Sequence, residues 1–303
     1  MTPHSPMPEA RTVAPLRGAQ WLVNALHLYR CAPLQWMSLS FALLALMTLS
    51  ALIPLVGPIV FGILFPVFSA GLGQAARAAT AGRPPALPDL FAGFRGATGD
   101  LVTLGGVYLI GQVLAMSAMT QVGGESLANL LASGARASRE PMPEVTGRAL
   151  LGVAVGLALL LPLLMATWFA PLLVHFHRQR PLAALRESFD ASLRNWRAFL
   201  LYAVALSIVA LLAAAASGLS SAVPLLGVLV AFAIVGALLA VMVPVGFITV
   251  YASYEDVFAP APPRDADPGD GASPAQDDSP AGDGQPVGEN RETEAPRAPG
   301  ERD

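Results

Sequence analysis

The chain has 303 residues, of which 54% are hydrophobic and 13% are charged, and its mean hydropathy is +0.56. Soluble domains carry roughly 25% charged residues, so this composition excludes an ordinary soluble protein and is typical of a chain with several membrane crossings. The single cysteine, Cys31, excludes an intrachain disulfide and a metal site built from several thiolates.

The net charge of −3 hides two opposite parts of the chain. Residues 1–258 carry fourteen Arg and ten acidic residues, whereas residues 259–303 carry four Arg and eleven acidic residues. The body is therefore basic, and the C-terminal tail is acidic. Because the tail consists mostly of Pro, Asp, Gly, Ala and Glu, it cannot bury enough apolar surface to offset its ordering entropy, and we predict that residues 259–303 are disordered.

The first thirty residues predict a disordered segment followed by a helix. Residues 1–16 are rich in proline and lack the apolar region of a cleavable signal peptide. Residues 17–30 repeat apolar side chains, among them Trp21, Leu22 and Tyr29, at the spacing of one helical face. This pattern indicates an amphipathic helix that either lies on the membrane surface or packs on the protein's own loops.

Long runs without charged residues predict six membrane crossings. A hydrocarbon core about 30 Å thick takes about 20 apolar residues per helix. The run from Cys31 to Ala76 therefore holds two crossings, near 35–55 and 57–77, and the run from Ala198 to Tyr254 holds two more, near 198–220 and 225–251. Two further crossings fall near 101–123 and 149–174. The fold class we predict is an all-α polytopic transmembrane helix bundle of three hairpins.

Two segments between the crossings are predicted to lie at the membrane surface. Pro88 starts a short helix with Leu90, Phe91 and Phe94 on one side. A second amphipathic helix covers residues 181–196, with apolar residues on one face and charged residues on the other. The apolar stripe is Leu182, Leu185, Phe189, Leu193 and Trp196, and the charged side is Arg186, Asp190 and Arg194.

Arginine distribution predicts the orientation of the chain. The segments before the first crossing, between the second and third, and between the fourth and fifth share one side of the membrane and hold eleven Arg, against three on the opposite side. Loops that stay in the cytoplasm keep positive charge. We therefore expect an inner-membrane protein with both termini in the cytoplasm.

No residue is predicted to be catalytic, cofactor-binding or metal-binding. His175 and His177 are two residues apart, so on a helix they point to different sides and do not form a metal-ligand pair. Gln112, Thr120 and Gln121 either line a polar path or hydrogen-bond between helices. Acidic residues and Arg are absent from the middle of every predicted crossing, which disfavours a proton-coupled pump.

Aromatic residues and prolines mark two further features. Tyr251, Tyr254 and Phe258 at the end of the last crossing predict an interfacial aromatic anchor. The segments 53–57 and 223–227, both of the pattern apolar-Pro-Leu-apolar-Gly, echo each other, as do Pro66 and Pro244 later in each hairpin. This echo indicates either a diverged duplication or the recurrence of Pro and Gly at membrane turns.

Four short motifs resemble an uncharacterised family of proteobacterial multi-span integral inner-membrane proteins of unknown function. They are Trp168-Phe169-Ala170-Pro171, the segment 181–189, Asn195-Trp196 and the segment 251–258. The resemblance covers roughly Arg17 to Phe258 and implies location and architecture, with no activity attached. The family pattern has a basic residue at the position of Glu255.

The function that these patterns favour is that of a non-enzymatic membrane protein. The expected partners are membrane lipids and, through transmembrane or surface helices, a protein partner or a second copy of the chain; no basic patch with aromatics suited to nucleic acid is present. A small-solute transporter or channel is the alternative, because prolines interrupt the second, fourth and sixth crossings. An enzyme acting on lipids would need an acid-base pair that the sequence does not offer.

Overall fold

A computed structural model describes residues 10–134, 146–220 and 226–258. This part of the chain is helical, with a short 3-10 turn at Ala92–Phe94. The helices are α1 (Arg17–Cys31), α2 (Pro33–Ala51), α3 (Val56–Thr80), α4 (Leu87–Leu90), α5 (Thr98–Gly134), α6 (Gly147–Trp168), α7 (Ala170–His177), α8 (Pro181–Arg194), α9 (Trp196–Ser220) and α10 (Leu226–Phe258).

Six segments of the described chain are long and apolar enough to cross a membrane, which confirms the predicted fold class. They are Pro33–Ala51, Val56–Thr80, Thr98–Asn129, Gly147–His177, Trp196–Ala216 and Gly236–Phe258. Gly124, with φ 65° and ψ −161°, interrupts α5 directly after the predicted end of the third crossing. Of the predicted turn between the last two crossings, residues 221–225 lie outside the described residues, as does the whole predicted tail, 259–303.

The hairpin between α2 and α3 shows why a Pro-Gly turn stands there. Leu55 has a positive φ of 64°, and Gly57, the second residue of α3, is in close contact with the Ser50 carbonyl, where a Cβ atom would clash. The chain can therefore reverse within four residues only because position 57 carries no side chain. The matching echo at 223–227 falls partly outside the described residues and stays a prediction.

One end of the bundle gathers the amphipathic segments. Here α3, α7 and α10 end, α2, α5 and α9 begin, and α1, α4 and α8 lie across them. We call this end the basic face, because the arginines of α1, α3 and α8, and those of the segments that connect helices at this end, lie on it. The predicted surface segment after Pro88 packs on α3, with Leu90 fully buried and its carbonyl against Gly71.

The N-terminal segment corrects one prediction. Residues 10–16, expected to be disordered with the rest of 1–16, have defined contacts: the Arg11 amide donates to the Val257 carbonyl at 3.0 Å, and the Val13 amide to Asn195 Oδ1 at 2.8 Å. The composition of these residues could not predict the contacts, because their partners, Val257 and Asn195, are distant in the sequence. Residues 1–9 lie outside the described part of the chain.

Helix α1 packs on the protein itself, but on the helices α9 and α10 and not on the loops of the second expected alternative. Its apolar face contacts α10 and α9, and Trp21 is 1% exposed, with its ring 5.3 Å from that of Phe199. Gly18 lies against the Ala198 carbonyl, with no room for a side chain. The apolar face of α1 is therefore unavailable to lipid or to a partner.

Helix α8 lies where it was predicted, but it buries a different face. Its buried residues are Ala184, Leu185, Ser188, Ala191 and Ser192, whereas Leu182, Leu193 and Trp196 of the predicted stripe are 68%, 51% and 50% exposed. The small residues face the protein because they let α8 approach α6 and α7 closely. The large apolar residues face outward, as expected for a helix at the membrane interface.

Candidate functional site

A cavity of about 400 Å³ lies between α3, α5, α6, α7, α9 and α10. Most of its wall is apolar, with a few hydroxyl groups and one indole. The lining residues are Phe65, Pro66, Ser69, Leu104, Tyr108, Leu164, Thr167, Trp168, Ala170, Pro171, Tyr202, Val243, Gly246, Phe247 and Val250. Cavities of this size and polarity are typical of sites for small apolar molecules.

Helix rise gives the depth of the cavity in the membrane. Pro171 lies six residues before the end of α7 and Gly246 twelve residues before the end of α10, which correspond to about 9 and 18 Å. The cavity therefore extends from the side of the basic face to about the middle of the hydrocarbon core. A ligand there would be surrounded by acyl chains and helices.

Proline kinks shape the wall of the cavity. Pro66 in α3 and Pro171 at the start of α7 both line it, and Pro244 of α10 is next to the lining residue Val243. Proline removes one helical hydrogen bond and bends the helix away from the carbonyl one turn earlier. Prolines from three crossings thus lie at one place, where proline-induced bends would keep the helices apart.

The break between α6 and α7 is held by a serine from α8. Where a continuous helix would join the Phe169 amide to the Met165 carbonyl, Phe169 donates to Ser188 Oγ at 2.9 Å and Ser188 Oγ donates to the Met165 carbonyl at 2.8 Å. Ser192 Oγ donates to the same carbonyl at 3.2 Å. The inserted hydroxyl satisfies both backbone groups, which a break inside the membrane requires.

Two hydroxyl groups of the cavity wall are free to bind a ligand. Trp168 Nε1 donates to Ser253 Oγ at 3.2 Å, and Thr167 Oγ1 donates to the Leu163 carbonyl at 2.8 Å, so these polar groups are engaged. Ser69 and Tyr108, by contrast, have no hydrogen-bond partner within the described residues. They are the polar groups with which the cavity could orient an amphiphile.

Asp256 anchors α1 to the end of α10. Its side chain is 6% exposed and accepts hydrogen bonds from Arg17 Nε at 2.8 Å, Arg17 Nη2 at 2.5 Å and Trp21 Nε1 at 2.9 Å. Arg11 donates to the Asp256 carbonyl and approaches its carboxylate at 3.5 Å. Hydrogen bonding to Asp256 raises the pKa of Arg17, so the guanidinium side of this pair stays charged.

Asn195 ties the N-terminal segment to the junction of α8 and α9. Its amide nitrogen donates to the Arg11 carbonyl at 3.0 Å and to the Ala191 carbonyl at 2.9 Å, while its oxygen accepts from the Val13 amide. A single buried side chain thus serves two backbone groups of residues 10–16. Asn195 and Asp256 together fix the chain before α1 to the α8–α9 junction and to the last turn of α10.

Near these contacts lies a second cavity, of about 360 Å³ and mixed polarity. It is lined by α1, the end of α3 and the last turns of α10, and its charged members include both carboxylates Glu255 and Asp256 as well as Arg11 and Arg17. Glu255 accepts a hydrogen bond from the Tyr251 hydroxyl at 2.7 Å. Because its charges already pair with one another, this cavity is an internal contact zone rather than a binding site of one sign.

Basic and aromatic side chains cluster where α3, α7 and α10 end. The guanidinium of Arg77 lies 5.0 Å from the centre of the Phe176 ring, and His177 Nε2 is 2.6 Å from the Tyr254 hydroxyl. Tyr251, Tyr254 and Phe258 are 4%, 9% and 2% exposed. The prediction that these three residues form an aromatic anchor at the membrane interface is therefore wrong. Their rings are buried, because α1 and α7 cover this end of α10.

The other sequence candidates lie away from the cavity. Gln112 and Gln121 are exposed on the outside of α5, and Thr120 Oγ1 donates to the Met116 carbonyl at 3.0 Å within its own helix. No three His, Cys, Asp or Glu side chains of the described ranges come close enough together to hold a metal ion. His175 packs with its ring 5.1 Å from that of Phe176.

Sequence reasoning missed the residues that carry the polar contacts: Ser188, Asn195, Ser253 and Asp256. All four lie in the motifs that carry the family resemblance, which was the available signal. Their partners are far away in sequence, 239 residues in the case of Arg17 and Asp256. Within the described part of the chain, the motifs therefore mark residues whose side chains form buried hydrogen bonds.

Comparison with known proteins supports the same assignment. A probable inner membrane protein of Burkholderia thailandensis is 32% identical over 191 residues, which cover 61% of this chain and 70% of that protein. No family model and no solved structure matches the chain. The relative's cellular location and the six apolar helices agree. This chain belongs to the family of proteobacterial integral inner-membrane proteins represented by that relative.

Proposed function

We propose that this inner-membrane protein is a non-enzymatic binder of a membrane amphiphile, whose apolar chain occupies the cavity between the kinked helices. The observation that carries this proposal is the packing around the cavity. Among the described residues, α6 packs closely on α5 and α8, whereas it meets α9 and α10 at its end, where Trp168 contacts the rings of Phe199 and Tyr202 and donates to Ser253. The cavity lies in the resulting gap between two hairpins. A chain could enter there sideways from the bilayer.

The chemistry of the wall supports the same proposal. An acyl chain gains little from leaving one apolar medium for another, so selective binding inside a membrane depends on shape and on a few polar contacts. The kinks supply the shape, and the hydroxyl groups of Ser69 and Tyr108 supply donors for a carbonyl or hydroxyl oxygen of the ligand. The rings of Phe65 and Phe247, with centres 6.1 Å apart and planes tilted by 49°, form an apolar wall beside them.

Gly246 offers a direct test. A Cβ atom at this position would meet nothing within 4 Å, and Gly246 lines the cavity, so Gly246→Leu fills the cavity without straining the backbone. Gly236 on the same helix also has open space and does not line the cavity, which makes Gly236→Leu the matched control. We expect mass spectrometry of protein purified in native lipid patches to show bound lipid in wild type and control, and at least tenfold less in Gly246→Leu.

Two results would contradict amphiphile binding. One is the absence of any retained lipid in the wild-type protein after transfer to a detergent that strips annular lipid. The other is equal retention by Gly246→Leu and Gly236→Leu. A turnover of lipid by the purified protein would instead contradict the non-enzymatic part of the proposal.

A small-solute transporter is the second candidate, and one observation favours it. Pro66, Pro171 and the neighbourhood of Pro244 meet at the same cavity, so bending of these helices would change its shape. Solute flux in reconstituted vesicles that is lost with Pro66→Ala or Pro244→Ala would support this function. Flux that persists in both variants would show that transport does not depend on these prolines.

We also propose that the basic face lies in the cytoplasm together with both termini. The support is the arginine distribution, eleven against three on the two sides of the membrane. A reporter enzyme active only in the periplasm should be active when fused at Ser138 and silent when fused after Phe258. The reverse pattern would overturn this orientation.

A further inference from the structure

The strongest unassigned feature is a set of donors without acceptors at the basic face, next to the cavity. Arg77 and Arg178 form no ion pair with a carboxylate anywhere in the described chain. His175, which lies within electrostatic range of both guanidinium groups, has a buried Nδ1 atom without a hydrogen-bond partner in that same part. Arg77 lies over the ring of Phe176, which packs on the ring of His175, and Arg178 follows His175 by about one helical turn, so these three nitrogen-bearing groups lie near one another.

The backbone at Arg178 indicates that its side chain is positioned. Arg178 ends α7 in the left-handed conformation, with φ 55° and ψ 33°, and its amide donates to the Val174 carbonyl at 3.1 Å. Glycine usually fills such a C-cap position, because a side chain is strained there. The guanidinium lies tightly against Gly96, which itself has a φ of 123° and no room for a Cβ atom. Gly96 therefore helps to fix the direction of the Arg178 side chain.

Arg77 is oriented as well. Its guanidinium stacks on the Phe176 ring, which leaves its N–H groups directed sideways toward other acceptors. The carboxylates nearest this cluster are occupied, Glu187 by Gln179 Nε2 at 2.6 Å and Glu255 by the Tyr251 hydroxyl at 2.7 Å. Neither carboxylate forms an ion pair with Arg77 or Arg178, so the N–H groups of both guanidinium groups stay available to another acceptor.

We infer that Arg77, Arg178 and His175 bind the phosphate group of an anionic phospholipid whose chain lies in the cavity. This inference rests on the proposed function and names its ligand class. Guanidinium groups present several donors that match phosphate oxygens, and His175 adds another in the tautomer that carries its proton on Nδ1.

The spacing fits one lipid molecule. His175 follows the lining residue Pro171 by one helical turn, and Arg77 follows the lining residue Pro66 by eleven residues, three turns on the same face of α3, or about 16 Å. A phospholipid chain extends through about half of the 30 Å hydrocarbon core, about 15 Å. The headgroup and the chain can therefore be held at the same time.

The test uses the full chain in detergent and two lipids with identical acyl chains, phosphatidylglycerol and diacylglycerol, which differ in the phosphate. We expect wild type to prefer phosphatidylglycerol. Each arginine near anionic lipid contributes about fivefold, so the double variant Arg77→Gln with Arg178→Gln should weaken phosphatidylglycerol binding about 25-fold. Its binding of diacylglycerol should not change, which also shows that the variant is folded.

Control variants separate this site from general surface charge and from the cavity. Arg30→Gln with Arg197→Gln removes two arginines of the same face outside the cluster and should leave the preference intact; equal loss in both double variants would overturn the inference. Equal binding of the two lipids by wild type would also overturn it. Gly246→Leu should abolish binding of both lipids, so a failure of the cavity is distinguishable from a failure of the phosphate site.

A competition experiment separates the two sources of phosphate. Inorganic phosphate at millimolar concentration should displace little phosphatidylglycerol, because the free ion lacks the chain. Tight binding of inorganic phosphate that is lost in the Arg77 and Arg178 variant, without any effect of the lipid, would show a site for a free anion and refute the lipid assignment.

Discussion

Removal of the Ser188 hydroxyl group tests the account of the helix break most directly. In Ser188→Ala, the Phe169 amide loses its acceptor, while the Met165 carbonyl keeps Ser192 Oγ at 3.2 Å. Phe169 is 0% exposed, so water cannot replace the lost partner. An unsatisfied buried amide costs about 1 to 3 kcal/mol, and hydrogen bonds measured inside membranes reach about 1.7 kcal/mol. We therefore expect a loss of about 1 to 2 kcal/mol in the free energy of unfolding.

Two further serine variants make this prediction specific. Ser192→Ala alone should cost less than about 0.5 kcal/mol, because the Met165 carbonyl keeps Ser188. Combined with Ser188→Ala it should cost more than the sum of the two, since both backbone groups then lack a partner. Ser207→Ala is the matched control, because Ser207 is exposed and bonds only to its own helix, at the Ala203 carbonyl.

The assay is reversible unfolding in mixed micelles with increasing SDS, followed by circular dichroism. The reasoning would be refuted if Ser188→Ala unfolded at the same SDS fraction as Ser207→Ala. If the losses in unfolding free energy of Ser188→Ala and Ser192→Ala were strictly additive, the claim that both serines serve the same Met165 carbonyl would be refuted, even if the single variant were destabilised.

Two other variants probe the docking of α1, by the same unfolding assay and by protease access to α1. Gly18→Ala should cost about 1 to 3 kcal/mol because its Cβ atom would overlap the Ala198 carbonyl, whereas Gly99→Ala, which has open space, should be neutral or slightly stabilising; equal stability of the two would contradict the close contact. Asp256→Ala should cost about 2 to 3 kcal/mol by removing charged hydrogen bonds from Arg17 and exposing α1 to protease. A protected α1 in that variant would show that apolar packing alone holds it.

The bilayer crossings could be predicted from the sequence because lipid imposes a simple requirement on every one of them. A segment such as Ala198–Tyr254, without a charged residue, has few alternatives to crossing the membrane twice. The buried face of a surface helix obeys no such rule. Leu182 and Trp196 could satisfy their apolar character in lipid as well as in the protein, so the pattern alone could not decide which side of α8 faces inward.

The cavity could not be predicted for a different reason. Proline positions were visible in the sequence, but the meeting of Pro66 with Pro171 depends on how separate hairpins pack. The roles of Ser188 and Asp256 likewise depend on partners brought together by the tertiary fold. The family motifs marked these positions without indicating what each side chain touches.

The contact between α1 and the last turn of α10 has a consequence for biogenesis. Arg17 and Trp21 leave the ribosome before the first crossing, whereas Asp256 lies at the end of the sixth. The contact between them can form only after every crossing has been inserted. Until then, the Trp21 indole and the Arg17 guanidinium lack their acceptor, Asp256. Docking of α1 therefore indicates that all crossings have been inserted. A nascent chain truncated before residue 256 would expose an undocked α1 to the proteases that degrade incompletely assembled membrane proteins.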